Sequence, residues 1–184
     1  MASQTASPPG SRRVGRWLPA SALVVGGLLA LIAQFMPWES LTYYQVDTNG
    51  YLLYNQPLYT TYLIPAQSVA QAVANDQQFY GSVSANTLIY GFVAFGPPII
   101  LVALGLAAFW AHRRILRWLI FIPSLVFWLV GAGLTLYSIG LSGFYGMDSC
   151  CHGSVTQAYG TLVVLLGYGS ALLGVILMLR PKSS

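Results

Sequence analysis

The chain has 184 residues, of which 56% are hydrophobic, 14% aromatic and only 7% charged, whereas a soluble globular domain carries about 25% charged residues. This excludes an ordinary water-soluble domain and leaves room for one domain with much of its length in membrane-spanning segments of about 20 residues each. The formal charge of +4 would suggest nucleic acid in a soluble protein; here the basic residues cluster beside apolar runs, which points to membrane orientation and to no nucleic-acid partner.

In chain order, residues 1–16 are rich in Ser and Pro with nothing to bury, and are expected to form a disordered cytoplasmic tail. The stretch "SRRVGRWL" has the paired arginines of a twin-arginine export signal, but Gly15 and Arg16 stand where that signal needs apolar residues. The apolar run that follows is longer than the core of a cleaved leader and no small-x-small site closes it, so about 18–36 is read as an uncleaved first span. Within it Ala22, Gly26 and Ala30 recur every four residues, a small-residue face for helix packing.

Residues 38–86 form a first outer segment, too long for a connector. "LTYYQVDTNGYLLYNQPLYTTYLIP" is dense in Tyr, Leu, Thr and Val and is broken by "DTNG" and Pro57, which predicts strands. A hairpin turn at Asn49 and Gly50 would pair Val46 with Leu53, Tyr44 with Asn55 and Gln45 with Tyr54, and a third strand, Leu58 to Ile64, would complete a β-meander. "AQSVAQAVANDQQFYG" then changes to helix formers, with Val69, Ala72 and Val73 at helical spacing and Gly81 as a stop. Tyr43, Tyr44, Tyr51, Tyr54, Tyr59 and Tyr62 give this cap an aromatic surface, for contact with a partner or for packing at the membrane interface.

Three further spans are expected at about 88–110, 119–141 and 159–179, with a second outer loop at 142–158. Pro97 and Pro98 inside the second span should kink it. In the fourth, Gly160, Gly167 and Gly174 recur every seven residues along one face, again for helix packing. All eight basic residues lie before the first span, between the second and third, or after the fourth, while Glu39, Asp47, Asp76 and Asp148 lie in the other two loops. Short basic loops stay cytoplasmic, so both termini are expected inside a multi-pass protein of the cytoplasmic membrane. The expected fold class is therefore an all-α membrane protein, a four-transmembrane-helix bundle carrying an extracytoplasmic β-meander and a short helix between spans 1 and 2.

Inside the four runs there is no Asp, Glu, Lys, Arg or His, so the ionisable groups used by proton relays, voltage sensors and ion-coupled carriers are missing. The polar exceptions, Gln34, Ser21, Ser124, Thr135, Ser138, Thr161 and Ser170, are expected to bond between helices or back onto their own.

Four spans with inner termini, a first outer segment of strands followed by a short helix, a shorter second loop, and "MPW" closing the first span together resemble the claudin-like tetraspan architecture. That resemblance covers nearly the whole chain as topology and implies lateral association and scaffolding. Residues 38–86 contain no Cys, so the family's spaced cysteine pair in this loop has no counterpart, and no site residue is carried over.

The two cysteines stand together in "MDSCCHG" of the second outer loop. Cys150 and Cys151 admit a vicinal disulfide, inert thiols or a disulfide to another chain; with His152 they also offer the donor set of a copper or zinc site, or a redox pair. Consecutive α-carbons lie about 3.8 Å apart, below the usual disulfide span, and the adjacent spacing fits neither Cys-x-x-Cys nor a haem attachment site. The reading taken is a non-enzymatic structural or accessory membrane protein without a cofactor, which contacts lipid and associates with other subunits or itself. The alternatives are a metal-binding or thiol-redox protein using Cys150, Cys151 and His152, and a small-molecule transporter or channel.

Overall fold

The computed structural model describes residues 11–45, 59–111, 114–141, 147–148 and 151–179. The chain is mostly helical, in the order α1 (Ser11–Ala33), β1 (Glu39–Gln45), β2 (Tyr59–Leu63), α2 (Pro65–Tyr80), α3 (Ala85–Trp110), α4 (Arg114–Leu141), β3 (Met147–Asp148), β4 (Cys151–Gln157) and α5 (Tyr159–Leu179). Three stretches, Ala85–Trp110, Leu116–Tyr137 and Tyr159–Leu179, are long and apolar enough to cross a membrane; the apolar part of α1 is the shorter Trp17–Ala33.

Helix α1 starts at Ser11, inside the segment 1–16 expected to be disordered. The arginines there are good helix formers, so a helix anchored in the core by Leu23 and Ala30 extends through them. It ends at Ala33 rather than near residue 36, and the next three residues close tight turns, with Gln34 N to Leu31 O, Phe35 N to Ile32 O and Met36 N to Ala33 O at 3.0–3.1 Å. Helix α3 runs as one element through the buried Pro97 and Pro98.

The core lies where α1 packs between α3 and α5. Leu23, Ala30, Leu101, Val164, Ala171 and Val175 are buried there, and Phe121, Leu125 and Trp128 of α4 pack against them. Small residues set the spacing. A β-carbon added at Gly26 would lie 2.5 Å from Ala171 N and 2.6 Å from Gly167 O, and one at Gly167 would lie 2.6 Å from Ala30 N. Further along the same seam, Gly174 meets Pro19 and Leu23, and Gly160 meets Pro37. The opposite face of α1 uses Gly27 against Pro98 and Val102, while Gly105 of α3 receives Val24. Backbones approach this closely only where no side chain intervenes.

The strands form a sheet in the order β2-β1-β4, with the two-residue β3 beside β4. All pairs are antiparallel: β1 meets β2 from Glu39↔Leu63 to Tyr43↔Tyr59, and meets β4 from Glu39↔Gln157 to Gln45↔Cys151. The expected meander is therefore corrected. The strand near 58–64 pairs directly with β1, and the other edge of β1 is taken by β4 from the second outer loop. A strand has only two edges, so β1 is central rather than the first strand of a sequential meander. The turn at Asn49 and Gly50, with its pairs Val46–Leu53, Tyr44–Asn55 and Gln45–Tyr54, falls within or against 46–58 and lies outside the described residues. Across the sheet Ser40 Oγ and Thr156 Oγ1 share a 2.7 Å hydrogen bond, and Thr42 and Thr60 hydroxyls a 3.3 Å one, the side-chain pairs that stabilise antiparallel ladders.

Helix α2 starts with Pro65 in its first turn and ends at Gly81, whose φ of 70° is the left-handed cap that glycine adopts without strain. The chain then turns into α3 through Ser84, whose hydroxyl accepts from Thr87 N at 3.3 Å. Ser84 N in turn donates to Asp76 Oδ2 at 2.8 Å. Hydrogen bonds from the Ser84 and Thr87 side chains and the Ser84 backbone hold the Asp76 carboxyl below its ordinary range.

Candidate functional site

The junction between bundle and cap is built around "MPW". Trp38 N donates to Leu63 O at 2.9 Å, and its indole Nε1 donates to Ala33 O at 2.7 Å, capping the last turn of α1. Trp38 O accepts from Ala158 N at 2.8 Å and from Thr161 Oγ1 at 2.6 Å, while Gly160 N donates to Pro37 O at 2.9 Å and Ala66 N to Gln34 O at 2.9 Å. One short segment thus fastens α1, β2, α2 and α5 together at the base of the sheet.

Directly beside this junction is a cavity of about 120 Å³. Its roof is Trp38, Leu63 and Pro65; its walls are Tyr90, Val93 and Ala94 of α3, Gly131, Leu134 and Thr135 of α4, Tyr168 of α5, and Gln34 just past α1. None of these eleven residues is charged. Gln34 and Tyr168 are 2% and 4% exposed. Gln34 Nε2 donates to Ala30 O at 3.1 Å, and Trp128 Nε1 donates to Tyr168 O at 2.7 Å, which ties α4 to α5. No family model matches this chain, and no curated protein matches it.

Four other polar side chains of the helices bond internally. Ser21, Ser124 and Thr135 bond back to Leu18 O, Ile120 O and Gly131 O, and Thr161 bonds across to Trp38 O and to Gln157 Oε1.

The tyrosine surface is reached in part. Tyr43 and Tyr44 are half-buried in β1 and Tyr62 of β2 is 58% exposed. Tyr59 opens β2, described by its backbone, and Tyr51 and Tyr54 lie outside the described residues. Phe79 and Tyr80, at the far end of α2, are 74% and 76% exposed and extend the aromatic surface beyond the tyrosines of the strands; their place at the end of a polar helix was the signal available for them.

Cys150 lies outside the described residues. Cys151 and His152 are placed by backbone alone in β4, Cys151 opposite Gln45 and Asp148, His152 opposite Tyr44 and Met147. Gly26, Gly160, Gly167 and Gly174 all lie on the α1–α5 seam. Gln34 was visible in sequence as the lone amide of a span, whereas Tyr168 sits in an apolar run where nothing distinguished it from a packing residue.

Proposed function

We infer that the protein is a structural or accessory component of the cytoplasmic membrane, with α1, α3, α4 and α5 as four spans, both termini inside, and a claudin-like arrangement of outer cap on bundle. Its cap contacts another membrane protein or a second copy of this chain. The observation that carries this reading is the cap itself: strands from two different loops are fastened to the bundle at Trp38, and the cap exposes Tyr62 on β2 and Phe79 and Tyr80 at the end of α2. A rigid platform bearing exposed aromatic side chains suits protein association, because such side chains give large contact area at low entropic cost. The lack of Asp, Glu, Lys, Arg and His in the apolar cores of these helices favours this role over ion-coupled transport.

The test is site-specific photo-crosslinking from residue 62 or 79 in native membranes, followed by mild detergent extraction. A discrete protein adduct from residue 62 that is lost in Phe79→Ser, or from residue 79 that is lost in Tyr62→Ser, supports the reading. Adducts to lipid alone would assign these aromatics to the membrane interface and overturn it.

A further inference from the structure

The cavity beneath the cap holds polar groups that the fold leaves unsatisfied. Gln34 uses one amide N–H on Ala30 O, and among the described residues its side-chain oxygen makes no hydrogen bond, nor does the Tyr168 hydroxyl. Neither atom is sealed away from space, since no described buried side-chain polar atom lacks a partner; both residues line the cavity. Pro97 and Pro98 have no N–H, so the carbonyls of Val93 and Ala94, four residues earlier in α3, receive no i+4 helical bond, and both residues line the cavity. In a membrane such groups need an internal partner, because each left bare costs several kcal/mol.

The occupant is defined by this chemistry. It must bring hydroxyl donors for the carbonyls and an acceptor for Tyr168. It must be uncharged, because no lining residue offers a counter-charge. It must also be small, since an apolar cavity of about 150 Å³ takes a benzene ring, and this one takes a head of about six heavy atoms. Water alone would serve the polar groups but leave the hydrocarbon of Val93, Ala94 and Leu134 without an apolar partner. Finally, Leu63, Tyr90 and Leu134 both line the cavity and are exposed, so its mouth opens on the apolar surface beside α3 and α4, just under the cap. We propose that the cavity binds the glycerol head of a neutral monoacylglycerol-type lipid, with the acyl chain leaving over Tyr90 and Leu134 into the bilayer. This rests on the membrane embedding of the bundle and is independent of its assembly role.

The test uses the full-length protein in phosphatidylcholine nanodiscs with a monoacylglycerol bearing a diazirine near the head, and maps adducts by peptide mass spectrometry. Adducts are expected on the segments holding Tyr90 to Ala94 and Gly131 to Thr135, reduced at least about fivefold by excess monoolein and little by a lysophosphatidylglycerol of the same chain. Gln34→Leu should raise the half-saturating concentration about tenfold. Pro97→Ala with Pro98→Ala, which returns donors to the Val93 and Ala94 carbonyls, should weaken labelling without lowering thermal stability, an outcome no purely structural role of the prolines gives. Adducts confined to lipid-facing α5 near Leu162 and Leu166, or equal competition by the charged lipid, would overturn the site while leaving the membrane reading intact. No adduct on any helix would overturn both. The wild-type competition needs no variant, so a poorly folding substitution leaves the result decisive.

Discussion

Replacing Gly167 with alanine tests the packing that defines the bundle. The added β-carbon would lie 2.6 Å from Ala30 N and 2.8 Å from Gly26 O, against about 3.5 Å for an ordinary contact, so α1 and α5 must part by roughly 0.9 Å. The obstructing atoms are helix backbone, which cannot rotate aside. A gap of 0.5–1 Å forfeits about a quarter to a half of the dispersion energy at each affected contact, and overpacking of this kind costs about 1–3 kcal/mol. Gly169, two residues along the same helix, supplies the control: its added β-carbon meets nothing within 4 Å, so Gly169→Ala should stabilise by about 0.5–1 kcal/mol through helix propensity alone. The propensity gain is common to both variants, so reversible unfolding in mixed SDS and dodecyl maltoside micelles, followed by tryptophan fluorescence, should separate them by the overpacking cost alone, about 1–3 kcal/mol. Because Gly26 and Gly167 touch at one place, the double alanine variant should lose less than the sum of the single losses. Gly167→Ala and Gly169→Ala agreeing within about 0.5 kcal/mol would refute a close α1–α5 seam.

Thr161→Val should loosen the cap by about 1 kcal/mol, since it removes the 2.6 Å bond to Trp38 O while keeping the volume, whereas Thr161→Ser should be nearly neutral; hydrogen exchange of the β1 amides reads the difference. The Asp76 carboxyl is held low by Ser84 and Thr87, so its contribution is present above the ordinary carboxylate value and is lost as pH falls through the lower folded value; protease sensitivity of the α2–α3 corner should rise below about pH 4, and Asp76→Asn should flatten that dependence. With the native cysteines replaced, a cysteine at Ser11, His112 or Ser183 should react only with membrane-permeant reagents and one at Gln67 with impermeant reagents from outside; external labelling at 112 would reverse the orientation. Cys150→Ser and Cys151→Ser should give similar modest losses of stability and His152→Ala almost none; stoichiometric copper or zinc that disappears in His152→Ala would instead establish a metal centre there.

What could be read from sequence followed the strength of the local signal. Apolar runs bounded by charge locate the three long apolar helices to within a few residues, because hydrocarbon burial acts over a whole segment. The change from "YTTYLIP" to "AQSVAQAVANDQQFYG" marks α2, and Gly81 stands at its cap. Strand partners were the weak point. The β4 sequence "CHGSVTQ" carries Gly and Ser and reads poorly as a strand; it is ordered as one because β1 offers an unpaired edge, a fact about the fold and not about those seven residues. The hairpin signal of Asn49–Gly50 likewise said nothing of the pairing between β1 and β2. At the cavity, Pro97 and Pro98 were read as a kink, but their consequence for Val93 and Ala94 appears only once these residues share a wall with Gln34 and Tyr168.

The cap and the cavity are linked by the residues they share. Antiparallel strands as short as these are marginal on their own, yet all three main strands have their bundle-side ends fixed: β1 follows Trp38, β2 ends at Leu63, and β4 ends before Ala158, whose N–H bonds Trp38 O. The register Leu63↔Glu39↔Gln157 is thus set where the helices already hold the chain, so much of the loop-closure entropy of the sheet is met by the bundle. Trp38 and Leu63 also roof the cavity, with Pro65 beside them. Anything that shifts these roof residues disturbs the base of the sheet and the cavity wall together. A molecule held in the cavity only when the roof is in place stabilises the ordered cap by mass action, about 2.7 kcal/mol at a hundredfold excess over its dissociation constant. Occupancy of the cavity would then govern how firmly the aromatic surface at Tyr62 is presented.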